Sequence, residues 1–436
     1  MGWICDRYVS FDHCCAVLPC FKFARRNDPH SRLRKLAAEL EMAKNRRRPS
    51  RAIAFIAYLP VNLRQVGIAL RKYGKTTRRS YGQGYLKQFG GLLYFSWRLN
   101  QPPHDYYLQK IWLQNDRKKW TGYLQQREHV LLVKHLRRSL PLDDFDDKLQ
   151  LFFRLRAADL PTIPILRAAA KGRWLPDFTT KPEDPAWKQS LVTKPTDGSL
   201  YDGVSIWHFD AASARYRRDI FEKKGGPEIL IGHEVMDLAG LMEKVRMASL
   251  ERTFLIQPFM ENHPSLTPLS PHGIANFRVV TVQTGGSVRV IAAALRMGYD
   301  NLKFTPGTYL AEVNLETGIL GLATGREEQW HLGETHLETG EQITGRKIEN
   351  WEELKALAIR GHSQFPWMPS IGWDVISTKT GAMIMEANAF WGVDIVQSSG
   401  RFLGEAGYAE AYLEAYEREM NDGAPKKQTD NRDLRV

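Results

Sequence analysis

The chain has 436 residues, about three times the usual size of one domain, so two or three domains are expected. Hydrophobic residues make up 43% of it and aromatic residues 11%, which excludes a disordered chain and allows a large packed core. The formal net charge is +12, and the charge-free stretches fall short of the roughly 18–20 apolar residues that a membrane-spanning helix needs.

The positive charge is concentrated in the first third of the chain. Residues 1–150 contain 29 Lys and Arg against 12 Asp and Glu, whereas the remainder has a net charge of −5. Residues 42–104 contain thirteen basic residues and no acidic residue. Such a one-sided field attracts anions, for example phosphorylated substrates, acidic polysaccharide or anionic lipid. A solvated surface that keeps the protein soluble is the alternative, and the absence of a nucleic-acid motif argues against a nucleic-acid partner.

The beginning of the chain indicates where the protein works. It lacks the basic-then-apolar order of a secretory signal, so we expect a soluble cytoplasmic protein. All four cysteines, Cys5, Cys14, Cys15 and Cys20, lie in the first twenty residues, so the rest of the chain folds without disulfide bonds. Their spacing contains no C-x-x-C pair. This favours a terminal segment that is acylated or has no specific role over a zinc site.

The first elements along the chain are predicted to be helical. Apolar residues recur at helical spacing over residues 31–47, and Pro49 follows where that helix must end. A second helical zone is predicted over residues 106–139. An acidic cluster that begins at Asp143 then changes the composition, and we place the main domain boundary there. The expected division is a basic, mainly helical region (1–142), a second domain (143–422) and a polar tail (423–436).

After this boundary, strand pairs alternate with helices. Gly285-Gly286 separates two apolar strands and predicts a hairpin, and Glu316-Thr317-Gly318 predicts another. Strands are predicted over 190–194, 204–209, 277–284, 288–294, 310–315, 319–323, 372–377 and 382–386, and helices over 147–158, 352–364 and 406–420. This mixture predicts an α+β or mixed α/β enzyme and excludes a helical bundle or a solenoid.

Two carboxylates and an amide occur in the last predicted strand pair. Asp374 lies in one strand, and Glu386 and Asn388 lie at the end of the next. An unpaired charge in an apolar strand is costly, so these carboxylates need a partner. Mg²⁺ held by carboxylate and amide oxygens together with nucleotide phosphates is one such partner. Structural ion pairs to arginines are the alternative.

An apolar strand that ends at Lys194 is followed by a turn containing Gly198, Ser199 and Gly203. Glycine lets the backbone approach phosphates closely, and the lysine adds a positive charge beside them. The pattern therefore suits a phosphate-binding loop, although an ordinary hairpin turn would look the same.

Two arginines, Arg278 and Arg296, stand within apolar strands. Each should therefore face a cleft or an acidic partner. The planar guanidinium fork suits phosphate or an acyl phosphate. A salt bridge to Asp374 or Glu386 is the alternative.

The order of these motifs resembles that of the ATP-grasp superfamily over residues 143–397. Asp147-Lys148, followed by Leu160-Pro-Thr-Ile-Pro, looks like the start of D-alanine–D-alanine ligases. Lys194 is similar to the second ATP lysine, and Leu255-Ile-Gln257-Pro resembles the hinge strand that reads adenine. The strands of Arg278 and Arg296 resemble those of ribosomal-protein glutamate ligases. Asp374, Glu386 and Asn388 match the D…E-x-N magnesium triad of the superfamily.

A finer resemblance is to the sugar-transfer-associated branch related to α-L-glutamate ligases. It is carried by His263-Pro264, Arg296-Met-Gly298 with Asp300-Asn301, His336-Leu-Glu-Thr-Gly340 and Asp394-Ile-Val-Gln397. The chain departs from the expected pattern at Thr305-Pro-Gly307, where two glycines are expected, and at Gly372, where D-alanine ligases keep an arginine.

The resemblance implies an ATP-grasp fold, in which two α/β subdomains clamp ATP, preceded by the basic helical region. It implies ATP and Mg²⁺ as cofactors. The implied sites are Lys148, Lys194, Gly198, Ser199, Gly203, Gln257 and Glu261 for the nucleotide, Asp374, Glu386 and Asn388 for the metal, and Arg278 and Arg296 for catalysis.

The implied reaction is that of a ligase. A substrate carboxylate attacks the γ-phosphate of ATP, and an amine then displaces phosphate from the acyl phosphate to form an amide. The substrates are expected to be small or linked to saccharides, in cell-surface polysaccharide or envelope synthesis, and a homodimer is compatible with this kind of enzyme. A phosphotransferase at the same site is one alternative. A non-catalytic nucleotide-binding protein, recruited to anionic membrane or polysaccharide machinery by its basic region, is another.

Overall fold

The computed structural model describes residues 28–44, 51–99, 101–137, 140, 142–197, 203–222, 229–271, 273–298, 308–325, 332–397 and 407–421. Within these ranges, no helix combines the length and the apolar character that crossing a bilayer requires.

Helices make up most of the described chain before the first sheet. They are α1 (Pro29–Lys44), α2 (Arg51–Tyr81), α3 (Tyr85–Leu93), α4 (Pro103–Leu108), α5 (Gln126–Leu136), α6 (Asp143–Asp146) and α7 (Lys148–Ala157), with a π-helical turn (Tyr94–Arg98) and 3-10 turns (Ile111–Leu113, Arg117–Gly122). The predicted helix over residues 31–47 corresponds to α1, and its last residues and Pro49 lie outside the described ranges.

The sequence pattern gave no prediction for α2, which is 31 residues long. Pro60, Gly67 and Gly74 lie in its interior and disfavour a helix. The helix forms because Val66 and Tyr73 on one of its faces are buried in a cluster of apolar side chains. Packing of this kind overrides local propensity.

The helical zone predicted over residues 106–139 is interrupted in the structure. Helix α4 ends near Lys110, whose backbone adopts a left-handed conformation with φ 50°. Irregular chain and two 3-10 turns follow, and α5 begins only where Gln125 and Glu128 form a capping box. Ile111, Trp112, Trp120 and Tyr123 in between are buried in the same cluster, whereas Leu113 is 42% exposed.

The strands are β1 (Arg167–Ala170), β2 (Arg173–Trp174), β3 (Leu191–Pro195), β4 (Ser205–Asp210), β5 (Arg215–Glu222), β6 (Ile229–Met236), β7 (Phe254–Pro258), β8 (Asn276–Thr284), β9 (Ser287–Gly298), β10 (Thr308–Val313), β11 (Leu320–Thr324), β12 (Leu332–Gly333), β13 (Ser370–Thr378) and β14 (Gly381–Asn388). In the described part of the chain they form two seven-stranded sheets, in the orders β2-β1-β7-β3-β4-β5-β6 and β12-β11-β10-β9-β8-β13-β14. With the helices, the two sheets confirm the predicted α+β class.

The predicted hairpins are confirmed. Strands β8 and β9 pair antiparallel around Gly285 and Gly286, whose φ angles of 55° and 77° are the left-handed values that a tight turn of this kind requires. Strands β10 and β11 also pair antiparallel.

The second sheet is covered on both faces. The later helices are α8 (Leu238–Ala248), α9 (Trp351–His362), α10 (Val393–Gln397) and α11 (Tyr408–Asn421). Helix α9 packs on one face, where His362 Nδ1 lies 2.7 Å from Thr281 Oγ1. Helix α11 packs on the other, where the Tyr412 hydroxyl lies 2.9 Å from Ser370 Oγ. Ser370 shares that face with Gly372 and Asp374, because alternate residues of a strand point the same way.

Candidate active site

Strand register brings three of the predicted site residues side by side. In the second sheet, Asp374 of β13 lies opposite Arg278 of β8 on one side and opposite Glu386 of β14 on the other. Residues directly opposite each other in antiparallel strands project from the same face of the sheet. Their side chains therefore meet on one face.

Arg278 and Asp374 form a buried two-pronged ion pair. Arg278 Nε donates to Asp374 Oδ1 at 2.7 Å, and Arg278 Nη2 donates to Oδ2 at 3.1 Å. Arg296 Nη1 lies 3.7 Å from Asp374 Oδ2, too far for a hydrogen bond. Asp374 is thus held between two guanidinium groups, as the ion-pair interpretation of the sequence predicts.

Helix α7 brings Lys148 to Glu386. The Asp147 side chain accepts hydrogen bonds from the amides of Leu149 and Gln150 and so caps the helix, which makes Lys148 its first residue. Lys148 Nζ lies 3.5 Å from Glu386 Oε1. The Lys148 amide also donates to the carbonyl of Thr196 at 2.9 Å, which ties α7 to the chain just beyond β3.

Lys194, on β3 of the first sheet, is electrostatically coupled to the same group. Burial lowers the pKa of Lys194 to about 8, the Glu386 carboxylate raises it, and the Lys148 ammonium lowers it further. Lys194, Lys148 and Glu386 therefore form one cluster of charges, to which both sheets contribute.

The charges of this cluster do not balance. Its cations are Lys148, Lys194, Arg278 and Arg296, and its carboxylates are Asp374 and Glu386. The excess of positive charge at neutral pH favours a polyanion such as a nucleotide polyphosphate.

Three buried polar atoms on this part of the second sheet have no hydrogen-bond partner among the described residues: Asn276 Oδ1, Arg296 Nε and Asn388 Nδ2. Asn276 on β8 pairs directly with Arg296 on β9. Asn388 lies two residues after Glu386 on β14. Burying unsatisfied polar groups costs free energy. A polar ligand bound at this cluster would satisfy them.

The same residues suit Mg²⁺. Two carboxylates and an amide offer the hard oxygen ligands that Mg²⁺ prefers, and no described residue accepts a hydrogen bond from the Asn388 amide nitrogen and so holds the group in place. Each oxygen of Asp374 keeps a free lone pair beside its hydrogen bond to Arg278. Because the cluster carries excess positive charge, these residues fit a Mg²⁺ that arrives with phosphates rather than alone. The described residues contain no group of three or more His, Cys, Asp or Glu that could hold a metal by itself.

Other predicted nucleotide residues lie apart from these contacts. The Gln257 side chain is buried and donates to the carbonyl of Ile163 at 3.2 Å. Glu261 lies at the surface, where its carboxylate contacts Lys379. Gly203 has φ +73°, and a Cβ there would lie 3.1 Å from Pro195 Cδ, so the turn after β3 requires glycine. Gly198 and Ser199 lie outside the described residues.

Gly372 and Trp391 also shape the site, and the sequence reasoning assigned them no structural role there. A Cβ on Gly372 would lie 2.3 Å from Trp391 Cβ and 3.3 Å from Arg278 Cδ. The missing side chain therefore lets Trp391 and Arg278 lie against the strand. The replacement of an expected arginine by glycine at this position was the only sequence signal.

The helical region before residue 142 holds the segment that follows Asn388. His129 Nε2 lies 3.1 Å from the carbonyl of Ala389, and the His129 ring lies 4.4 Å from the Trp391 ring. The Gln397 side chain accepts from the Leu124 amide at 3.1 Å and donates to the Leu124 carbonyl at 3.0 Å. The N-terminal helical region thus packs against the segment that follows β14, next to the candidate site. The sequence did not predict these contacts.

A model of the family described as sugar-transfer associated ATP-grasp matches residues 143–403. No curated protein matches the chain.

Several solved structures are similar to this chain at low identity. D-alanine–D-alanine ligase from Bacillus anthracis has 13% identity and a TM-score of 0.36, with 64% of this chain and 69% of that chain covered. L-amino acid ligase from Bacillus licheniformis has 12% identity and a TM-score of 0.34, covering 66% and 53%. A RimK domain ATP-grasp protein from Sphaerobacter thermophilus has 15% identity and a TM-score of 0.31, covering 65% and 69%. Likenesses at these TM-scores say nothing about the substrates of this chain.

Proposed function

The chain belongs to the sugar-transfer associated ATP-grasp family, and on this premise we propose that it is an ATP- and Mg²⁺-dependent ligase that joins a carboxylate to an amine. The observation that carries the proposal is the charged cluster, in which four cations meet two carboxylates and three buried polar atoms have no partner among the described residues. Such a site is suited to a polyphosphate and a second polar substrate.

In this proposal Lys148 and Lys194 bind the phosphates of ATP. Both ammonium groups lie near Glu386, so a bound phosphate adds a second negative partner to each of them. The turn with Gly198, Ser199 and Gly203 closes over the phosphates, and Gln257 and Glu261 belong to the strand and loop beside the adenine.

Arg278 and Arg296 have different roles in this proposal. Arg278 donates two hydrogen bonds to Asp374, so it orients that carboxylate. Arg296 Nε has no hydrogen-bond partner among the described residues, and Arg296 makes no hydrogen bond to Asp374, so its donors are available to a substrate. Arg296 therefore holds the transferred phosphoryl group and the oxyanion that forms at the carbonyl carbon.

Asp374, Glu386 and Asn388 would hold Mg²⁺ together with phosphate oxygens, and the ion would offset negative charge on the phosphates. The substrate carboxylate oxygen attacks the γ-phosphorus, the bond to the β-phosphate oxygen breaks, and ADP leaves. The amine nitrogen then attacks the acyl carbon, releases inorganic phosphate and loses a proton. Asn276 Oδ1, a buried acceptor to which no described residue donates, suits an N–H of that amine.

The family description and the basic first third of the chain support saccharide-linked substrates in cell-surface polysaccharide or envelope synthesis. We propose that the reaction takes place in the cytoplasm, where ATP is available, and that residues 143–422 form the ATP-grasp domain between the helical region (1–142) and the tail (423–436). A homodimer stays a prediction.

The test is thermal unfolding of the full chain with a non-hydrolysable ATP analogue, Mg²⁺, or both. A ligand that binds only the folded state stabilises it and so raises the melting temperature. At a ligand concentration of 100 times Kd, the gain in stability is about 2.7 kcal/mol. We expect a large rise with analogue and Mg²⁺ together and none with Mg²⁺ alone, because the free cluster is already cationic. Glu386→Gln should abolish the Mg²⁺-dependent part, whereas the control Glu316→Gln, in an exposed turn, should keep it.

No shift with any nucleotide would contradict the proposal. If nucleotide binds, release of ADP that requires both a carboxylate and an amine supports the ligase. A phosphate ester as the product would instead establish a phosphotransferase, and binding without turnover would leave a nucleotide-binding protein.

A further inference from the structure

Helix α3 and the π-helical turn after it carry a stripe of apolar side chains that faces solvent. Leu86 is 90% exposed, Phe89 39% and Trp97 37%, and these positions follow one another along one side of the helix. Tyr85, 42% exposed, flanks the stripe. A nearly fully exposed leucine beside exposed aromatic rings is unusual for a surface that faces only water.

Basic side chains accompany this stripe. Exposed cations of α2 and α3 include Arg71, Lys72, Lys75, Arg78, Arg79 and Lys87. None of these six forms an ion pair with an acidic side chain in the described part of the chain. The Arg78 guanidinium lies 5.4 Å from the Tyr85 ring, which brings the charge of α2 to the edge of the stripe.

From this combination we propose that the face formed by α3, the π-helical turn and the exposed cations of α2 docks on an anionic lipid bilayer. Apolar and aromatic side chains that protrude between basic residues match a bilayer interface, where rings and leucine enter the acyl boundary and cations meet anionic headgroups. The complete absence of acidic residues over 42–104 extends this complementarity along α2. The core of a protein–protein interface is depleted of charged residues, lysine among them, whereas cations lie directly beside this stripe.

Buried hydrogen bonds on the inner side of α3 hold the helix that carries the stripe. Gln88 on the inner side of α3 is buried, and its amide donates to the carbonyls of Gly74 at 3.1 Å and Gln83 at 2.6 Å. Its oxygen accepts from the Tyr107 hydroxyl at 2.7 Å. These bonds fix α3 against α2 and α4, so substitution of the exposed side chains leaves the helix in place.

The experiment is co-sedimentation of the full chain with vesicles of pure phosphatidylcholine and with vesicles that contain phosphatidylglycerol. We expect binding to the anionic vesicles alone, lost at high salt. Leu86→Glu should weaken that binding at least roughly tenfold, because it places a negative charge at the most exposed point of the stripe. The control Leu250→Glu changes a leucine that is 56% exposed on another part of the surface, and it should bind as the wild type does.

A second pair of variants tests the charge. Lys75→Gln with Arg79→Gln removes two cations of the face, and each removal should weaken binding roughly fivefold. The control Lys188→Gln with Lys347→Gln removes the same net charge from exposed positions elsewhere and should have little effect.

Absence of binding to anionic vesicles would overturn the proposal, and so would equal effects of the two charge variants. Sedimentation velocity without lipid tests the alternative that a second copy of the chain binds this face. If Leu86→Glu converts a dimer to a monomer and leaves vesicle binding unchanged, the face joins two copies of the chain instead. The nucleotide-dependent rise in melting temperature should stay normal in every variant, which separates this result from that of the ligase proposal.

Discussion

At the scale of single residues, the buried pair of Arg278 and Asp374 can be tested apart from catalysis. Asp374→Asn leaves a buried guanidinium without its anion and should destabilise the protein by about 3–5 kcal/mol. The double variant Arg278→Met with Asp374→Leu removes both charges and should recover most of that loss in urea unfolding. It should stay inactive in ADP release. If it regains activity, Asp374 has only a structural role.

Gly372 tests how tightly the site is packed. Gly372→Ala places a Cβ 2.3 Å from Trp391 Cβ and should destabilise the protein by about 1–3 kcal/mol, since both neighbours must shift. The matched control is Gly67→Ala in α2, where a Cβ meets nothing within 4 Å and alanine favours the helix, so stability should rise by about 0.4–1 kcal/mol. Equal melting temperatures for the two variants would contradict the packing at Gly372.

Lys194 predicts how nucleotide binding depends on pH. Its pKa of about 8 in the free protein means that the ammonium loses its proton as the pH rises through 8. A bound phosphate favours the charged form, so the Kd of ADP with Mg²⁺ should rise above pH 8, by up to about tenfold per pH unit. Lys194→Arg keeps its charge and should flatten this dependence. A Kd for the wild type that stays constant between pH 7.5 and 9.5 would exclude Lys194 from the phosphate site.

At the scale of elements, α5 and α9 each bury a neutral histidine against the second sheet. Burial lowers the pKa of His129 to about 3 and that of His362 to about 4. The unfolded chain takes up protons below its pKa of about 6.5 while the folded protein does not, so stability falls as the pH drops. Each histidine should cost about 1.4 kcal/mol per pH unit between pH 6.5 and its folded pKa.

The measurement is the free energy of urea unfolding between pH 7 and 5. His129→Gln should lower stability at pH 7, because a buried ring and its contacts with Tyr408 and Ala389 are lost, and it should also reduce the slope. His208→Gln, at an exposed position without an ion pair in the described part of the chain, is the control and should leave both quantities nearly unchanged. An unchanged slope in His129→Gln would mean that His129 is not neutral in the folded protein.

At the scale of the whole molecule, the contacts of the helical region predict one cooperative unit. Deletion of residues 1–142 would remove the partners of Trp391, Tyr408 and Gln397, and would expose large aromatic side chains that are now buried. The shortened chain should therefore be insoluble or lack a cooperative thermal transition. Deletion of the polar tail 423–436 is the control and should leave the transition unchanged. A soluble, cooperatively folding 143–436 fragment would contradict this coupling.

Elements with local signals could be predicted from the sequence. Gly285-Gly286 specified a hairpin because only glycine readily adopts two successive positive φ angles. The predicted helix over 147–158 corresponds to α7, and the Asp147 side chain caps the N-terminus of this helix. Helix α2 was not predictable in this way, because Pro60 and two glycines oppose it and distant packing stabilises it. The family followed from the order of motifs and the α+β class from strand pairs flanked by helices, and both are confirmed.

The sequence by itself determined the fold class, the hairpins, the strongly basic first third and the residue types available to the site. Only the tertiary structure decided which charge meets which. Asp374 pairs with Arg278, 96 residues earlier, and Glu386 lies beside Lys148, which comes from a helix at the start of the domain. These pairings depend on strand order and register across the second sheet. Local periodicity carries no information about either, because it reports only which face of its own strand or helix a residue occupies.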